Sequence, residues 1–330
     1  MAVGGARRAR WAVGALAVAA LLVLAGGGSD GPAASPAVTE IDLPDAGGST
    51  HELTLGPDGD VWVTQQNTAK LVRVSPRGHV RVFALPPGSG PHGIKFDRRG
   101  RLWVTLEFAN AIARVGLDGR IVRRYPIARA NAGPHGLDVA RDGSVWWTGK
   151  EGGVIGRLDP ATGRMRVFSL PNGQSLPIYI AQGCDGLYFT ELNAGRIGRV
   201  KASGKITEWK TPTPGSRPIA VAPRDCRIWF SEEAGHRYGV LDPRTGRIVE
   251  YPLRRPTDEL ASLAFDRLGT LWLQHVKPDV FGRAGRGREA STFPIPTTHA
   301  TMHRIILGPG GRMWFTELAR DKVGSFDPGR

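Results

Sequence analysis

The sequence predicts an all-β fold, a seven-bladed β-propeller whose last blade is closed by the N-terminal strand. Three observations predict it. Aromatic residues recur at Trp62, Trp103, Trp146, Tyr188, Trp229, Trp272 and Trp314, at steps of 41 to 43 residues, and a fixed period of that size marks a repeat array. Each repeat holds four short runs rich in β-branched and aromatic residues, separated by Asp-Gly-type turns, which is the composition of a propeller blade. Beyond the N-terminal segment no stretch carries a long apolar stripe of helical period, so helices are not expected.

The second repeat shows how a blade is written. Pro91-His92-Gly93-Ile94-Lys95-Phe96 is the first strand, and Asp97-Arg98-Arg99-Gly100 turns the chain into Leu102-Trp103-Val104-Thr105. Ala111–Val115 follows as the third strand, Asp118-Gly119 as the next turn, and Ile121–Pro126 as the fourth strand. The last repeat runs from Met302 to Phe326 and supplies only three strands. Val38–Pro44 stands alone before the first repeat and reads like the fourth strands Ile206–Trp209 and Ile248–Leu253. It is expected to complete the last blade, leaving no open sheet edge at the seam.

At the N-terminus Arg7, Arg8 and Arg10 precede an apolar run from Trp11 to Ala25, followed by Gly26-Gly27-Gly28-Ser29. A basic region, an apolar core and small residues predict a signal peptide over residues 1–28, a flexible leader over 29–36 and the propeller over 37–330. Export to the extracellular space or cell envelope follows, with no stable membrane insertion after cleavage. An uncleaved anchor is the alternative, although the run is short of the ~20 residues a span requires. No Cys follows Leu24-Ala25-Gly26, so lipidation is not expected.

The net charge is +14, but the basic residues are scattered through turns and third strands. No nucleic-acid partner is expected, since that needs a basic patch with interleaved aromatics; a solvated basic surface, open to contact with anionic envelope polymers, fits better. Cys184 and Cys226 fall in the same turn of adjacent repeats. An oxidising compartment would join them and staple blades four and five; two free thiols are the alternative.

If the first strand of each blade lines the central channel, its opening residue and the last residue of the second strand meet at one end of the blade. The pairs read His51/Gln65, His92/Glu107, His135/Gly149, Ile178/Glu191, Ile219/Glu232, Ala261/His275 and His303/Glu317. Five histidines and four glutamates are thereby expected at one channel mouth. Histidine serves as acid or base near neutral pH, and neighbouring carboxylates orient it or hold a cation. Equally, a repeated Pro-His-Gly can cap a strand or tie blades together.

The strings Tyr188-Phe189-Thr190-Glu191, Trp314-Phe315-Thr316-Glu317 and Ile197-Gly198-Arg199, with Pro-His-Gly first strands and Thr-Glu-Trp or Val-Glu-Tyr fourth strands, resemble the streptogramin B lyases, the virginiamycin B lyase family. The resemblance runs from about Val38 to Phe326. It implies a Mg2+-dependent elimination that opens a cyclic depsipeptide at its ester bond. It also implies a basic His on the last blade, two glutamates that help bind the metal, and a substrate-contacting His on the preceding blade. Carried over residue by residue, the base falls on His303. The preceding Glu is replaced by Thr301, and the second Glu, four positions after the last-blade aromatic, by Leu318, with Glu317 one residue earlier. The substrate-contacting His is replaced by Ala261, with His275 entering from the neighbouring strand. A rotated site is the alternative: His51 and His92 lie on consecutive blades and Glu107 stands four residues after Trp103, but Gly90 replaces the other Glu.

On this reading His303 or His92 is the base, His51, His135 and His275 contact substrate, and Glu317 or Glu107 binds Mg2+. The expected function is that of an exported, monomeric lyase-like propeller, linked to antibiotic resistance, that acts on a small cyclic peptide or other small ligand at the channel mouth. The competing function is a non-catalytic propeller of the cell envelope that recognises a peptide, glycan or partner protein. A calcium-dependent lactonase-type hydrolase is a third reading, but matching Asn and Asp ligands are not evident.

Overall fold

Seven antiparallel sheets of four strands each make up the fold. A computed structural model of the chain describes Met1 and residues 36–44 and 46–329. The expected signal peptide and leader lie outside the described residues, Met1 and Pro36 aside. Among the described residues the only helical turn is Pro309–Gly311, and no helix is long and apolar enough to cross a membrane.

The first strands of the blades are Thr50–Leu55, Pro91–Phe96, Pro134–Val139, Pro177–Gln182, Pro218–Arg224, Glu259–Phe265 and Met302–Leu307. Each packs against the first strand of the blade on either side, and the seventh packs against the first, so they form the inner wall of a closed ring. Val38–Asp42 completes the seventh sheet by pairing with Lys322–Phe326, from Val38 opposite Phe326 to Asp42 opposite Lys322. The predicted closure is therefore the observed one, and the backbone donors of that edge are satisfied by the chain itself.

The periodic aromatics are the wedges between blades. Trp62 packs with Ile94, Leu102 and Val104 of the second blade, and Trp103 with Leu137, Val145 and Trp147 of the third. Trp146, Tyr188, Trp272 and Trp314 repeat the arrangement at their own interfaces, while Trp229 is partly buried against Leu263 and Leu271. A buried aromatic removes roughly 150–250 Å2 from water, a gross stabilisation of about 4–6 kcal/mol at about 25 cal/mol per Å2. The Ile-Gly-Arg motif has a steric cause. A Cβ on Gly198 would lie 2.1 Å from the ring of Phe189, so the third strand carries glycine where the second strand turns an aromatic ring across it.

Cys184 and Cys226 are joined in a disulfide, with 5.2 Å between their Cα atoms. The bridge links corresponding turns of blades four and five. Closing a loop of this length contributes about 4 kcal/mol in the chain-entropy account.

Candidate functional site at the channel mouth

Each first strand opens with a bulge that builds the site. In blade 1 Thr50 pairs with Gln65 and Leu53 with Val63, so His51 and Glu52 together oppose Thr64. The same register shift opens most of the other first strands. A bulge re-aims side chains next to a site without ending the ladder. The Thr Oγ1 opposite it accepts the Glu52 N–H at 3.0 Å and donates to the His92 carbonyl of the next blade at 2.9 Å. Thr105, Thr148, Thr190, Ser231 and Thr316 make the corresponding bond to His135, Ile178, Ile219, Ala261 and His51. The third letter of each Trp-x-Thr string thus locks the ring of channel residues from blade to blade. In blade 6 the slot is Gln274, whose amide reaches the Thr316 carbonyl at 3.5 Å.

Four of the five expected histidines come together. Ring centroids lie 4.5 Å apart for His51 and His92, 4.9 Å for His51 and His303, 5.9 Å for His92 and His303, and 3.6 Å for His92 and His135. Burial lowers the pKa of each. That of His51 falls to about 2, with His303 adding to the effect, and those of His92, His135 and His303 lie below the usual value. The cluster is therefore neutral at neutral pH.

His275 and Glu317 are not part of it. His275 is fully buried inside blade 6, its Nε2 2.7 Å from Glu289 Oε1 and its Nδ1 3.6 Å from Asp258 Oδ2. Glu317 turns towards Glu40 and Lys322 of its own blade. The reason is register. Because of the bulge, the last residue of the second strand pairs with the residue before the ring position: Met302 with Glu317, Leu260 with His275, Pro177 with Glu191. Glu107 lies one step beyond Leu106, the residue paired with Pro91. Strand side chains alternate in direction, so this single step sends Glu107 to the mouth and the others into the blades. Its equivalents are Gln66, Lys150, Leu192, Glu233 and Leu318, each donating its backbone N–H to the residue two before the ring position. Gln66 Nε2 and Lys150 Nζ donate to the two oxygens of Glu107 at 2.7 and 2.6 Å. Burial raises the Glu107 pKa, with Lys150 opposing the shift.

Sequence reasoning missed a second layer, one residue further along the first strands. Tyr179 Oη donates to Glu52 Oε1 at 2.5 Å and lies 3.3 Å from His303 Nδ1. Arg304 stacks over the Tyr179 ring at 4.7 Å and holds Nε 3.4 Å from Glu52 Oε2. Below them a cavity of about 250 Å3 is lined by Glu52, Tyr179, Arg304 and Lys95. The signal was present: this slot reads Glu52, Gly93, Gly136, Tyr179, Ala220, Ser262 and Arg304, and the bulge places both slots on the channel.

The inward-turned glutamates have their own consequence. Burial, with the facing carboxylates Glu208, Glu250 and Glu40, raises the pKa of Glu191 to about 7, of Glu232 to about 8 and of Glu317 to about 8. A raised folded-state pKa gives stability that is complete below the unfolded value and is lost as pH rises through the folded one. Gln at all three positions should therefore stabilise the protein relative to wild type at pH 8.5 and not at pH 4.5. The expected gap is about 1–3 kcal/mol per site after allowance for solvent screening. Urea unfolding of the two proteins across this range measures it; a pH-independent gap would contradict it.

The donors fit Mg2+ poorly. That ion prefers carboxylate and water oxygens. Thr301 offers a hydroxyl and Leu318 hydrocarbon, Glu317 faces its own blade, and the carboxylates that remain, Glu107 and Glu52, stand on separate blades among imidazoles. Among the described residues the fully buried imidazole nitrogens without a partner at the mouth are both of His92 and Nδ1 of His51.

A sealed ring of seven four-stranded sheets that gathers imidazoles, carboxylates and a tyrosine at one end of its axis defines a β-propeller with a polar, histidine-rich channel mouth. The model of the virginiamycin B lyase family matches residues 33–275 and 160–330, and the chain belongs to that family. It is 32% identical over 215 residues to a virginiamycin B lyase of Nocardia farcinica (strain IFM 10152), covering 64% of this chain and 73% of that relative. A solved streptogramin B lyase superimposes with a TM-score of 0.83 at 28% identity, covering 88% of this chain and 97% of that one. A catalytically inactive histidine-to-alanine virginiamycin B lyase from Staphylococcus aureus with quinupristin gives 0.81 at 27%, covering 88% and 99%.

Proposed function

We propose that this protein is an exported, monomeric lyase that linearises cyclic depsipeptides of the streptogramin B type, with His303 as the base. One observation carries the reading: His303 is held at Nδ1 by Tyr179, backed by Glu52, while 19% of its side chain stays accessible. A neutral imidazole fixed from behind and open in front is what proton removal needs. In the elimination the imidazole takes the proton α to a carbonyl. The C–H electron pair forms a C=C bond as the adjacent C–O bond breaks, and the freed carboxylate leaves with that bond's electrons. No water enters the product. Arg304 and Lys150 supply positive charge near the mouth for the leaving carboxylate. Export is supported by the Arg-led apolar N-terminus and by the Cys184–Cys226 disulfide, because disulfides persist in oxidising compartments.

The test is incubation of the full chain with quinupristin, the compound named with the S. aureus enzyme, followed by mass spectrometry. The expected product has the mass of the substrate, a new carboxylate and a new C=C bond. A product heavier by one water would make the protein a hydrolase. Intact compound that nonetheless binds would make it a binding propeller.

A further inference from the structure

Blades 2 and 3 hold a group of donors that the proton-transfer role of His303 leaves unused. One nitrogen each of His92 and His135 and one oxygen of Glu107 lie within 4.8 Å of one another, and all three residues are buried. His92 is 1% exposed and neither of its ring nitrogens has a partner, an arrangement that is costly unless something fills it. The other two donors are pre-set. His135 Nδ1 lies 3.3 Å from the Ile178 carbonyl, a bond that leaves Nε2 as the free donor. Each Glu107 oxygen accepts a single hydrogen bond and keeps a second lone pair. Outer hydrogen bonds of this kind orient the ligands of metal centres.

We infer that His92, His135 and Glu107 bind a borderline divalent transition-metal cation of the Zn2+ class, in place of Mg2+. Two imidazoles and one carboxylate suit Zn2+, Co2+ or Fe2+ better than a hard ion that demands oxygen. Three protein ligands leave a coordination position open. A cavity of about 320 Å3 lined by Glu107, Asn110, Gly133 and Glu151 reaches Glu107 from the surface and provides a path for the ion. The inference deepens the lyase reading and rests on it only for what the metal does, because His92 lies beside His303 and a cation there would draw the substrate carbonyl towards the base. Metal binding itself stands apart from that reading.

The experiment uses the full chain, stripped with a chelator, dialysed against Co2+ or Zn2+ and measured for metal content and for the visible absorption of four- or five-coordinate Co2+. One equivalent of cobalt with an intense visible band is expected. Gln at His92 or at Glu107 should abolish the band, while thermal unfolding checks that the variants remain folded. Gln66→Ala, which removes one of the Glu107 hydrogen bonds, should weaken binding about 10–100-fold. Failure of the wild-type protein to retain either metal, or retention unchanged in His92→Gln and Glu107→Gln, would overturn the inference. Cobalt bound with quinupristin left intact removes the lyase reading and leaves the metal centre standing; linearisation by metal-free protein keeps the lyase reading and removes the metal's part in it.

Discussion

His303→Ala is expected to lower quinupristin linearisation about 1000-fold while leaving the blades intact. A general base contributes about 100- to 10000-fold, and the adjacent His51 has its Nε2 on Ser49 Oγ and its Nδ1 buried. His92 is 1% exposed and His135 7%, so neither reaches a ligand as freely as the partly accessible His303. The fold should survive, because the backbone beside His303 is held by the Arg304 N–H bond to Thr316 Oγ1 and by pairing of Met302 with Glu317. The loss should appear in kcat more than in KM, since the proton is transferred only in the transition state. Tyr179→Phe keeps the ring and removes the hydroxyl, and a drop of about 10-fold is expected from the loss of one orienting bond. Burial lowers the His303 pKa, so activity should persist at pH values below the ordinary imidazole pKa of about 6.5. Steady-state kinetics with circular dichroism on each variant checks all of this. Full activity in His303→Ala with loss in His92→Gln would move the base to the rotated site.

The largest effect on stability should come from His275→Ala. The imidazole lies between Glu289 and Asp258 with all three side chains essentially closed to water. Gly282 belongs to the same arrangement, since a Cβ there would collide with the Glu289 carboxylate and approach the His275 ring. Truncating His275 leaves Glu289 Oε1 without its donor in a dry interior, although Oε2 keeps the Arg254 N–H at 2.9 Å. Breaking a buried pair from one side costs about 3–5 kcal/mol, because the remaining charge cannot be solvated. Glu289→Gln added to His275→Ala should recover part of the loss by removing that charge. Denaturant unfolding resolves a change of this size, and a cost below about 1 kcal/mol would mean that water reaches the site. Blades 4, 5 and 7 face the same problem differently: Glu191, Glu232 and Glu317 each oppose another carboxylate, and their raised pKa values shift them towards the protonated form.

Much of this was legible in the sequence. The 42-residue period of aromatics reports a contact made once per interface, so counting it counted the blades. The solitary Val38–Asp42 strand had to pair somewhere, and the three-stranded last repeat was the available edge. The recurrence of His at the start of the first strands led to the gathering of His51, His92, His135 and His303, because closing a ring superposes equivalent positions. The placing of His275 and Glu317 at the same mouth did not hold, and neither did the grouping of Glu107 with the strand-end glutamates. Those errors share one cause, a one-residue bulge that composition does not reveal.

By itself, then, the sequence determined the number of blades, the closing strand and which histidines share an axis, since these follow from period and pairing. Only the tertiary structure decided which side chains meet there. In a strand a single-residue slip reverses the direction of every side chain after it, and the bulge beside His51 and Glu52 makes that slip in blade after blade. It put Glu52, Tyr179 and Arg304 behind His303, sent Glu317 away, and left His92 with two buried nitrogens and no protein partner for either.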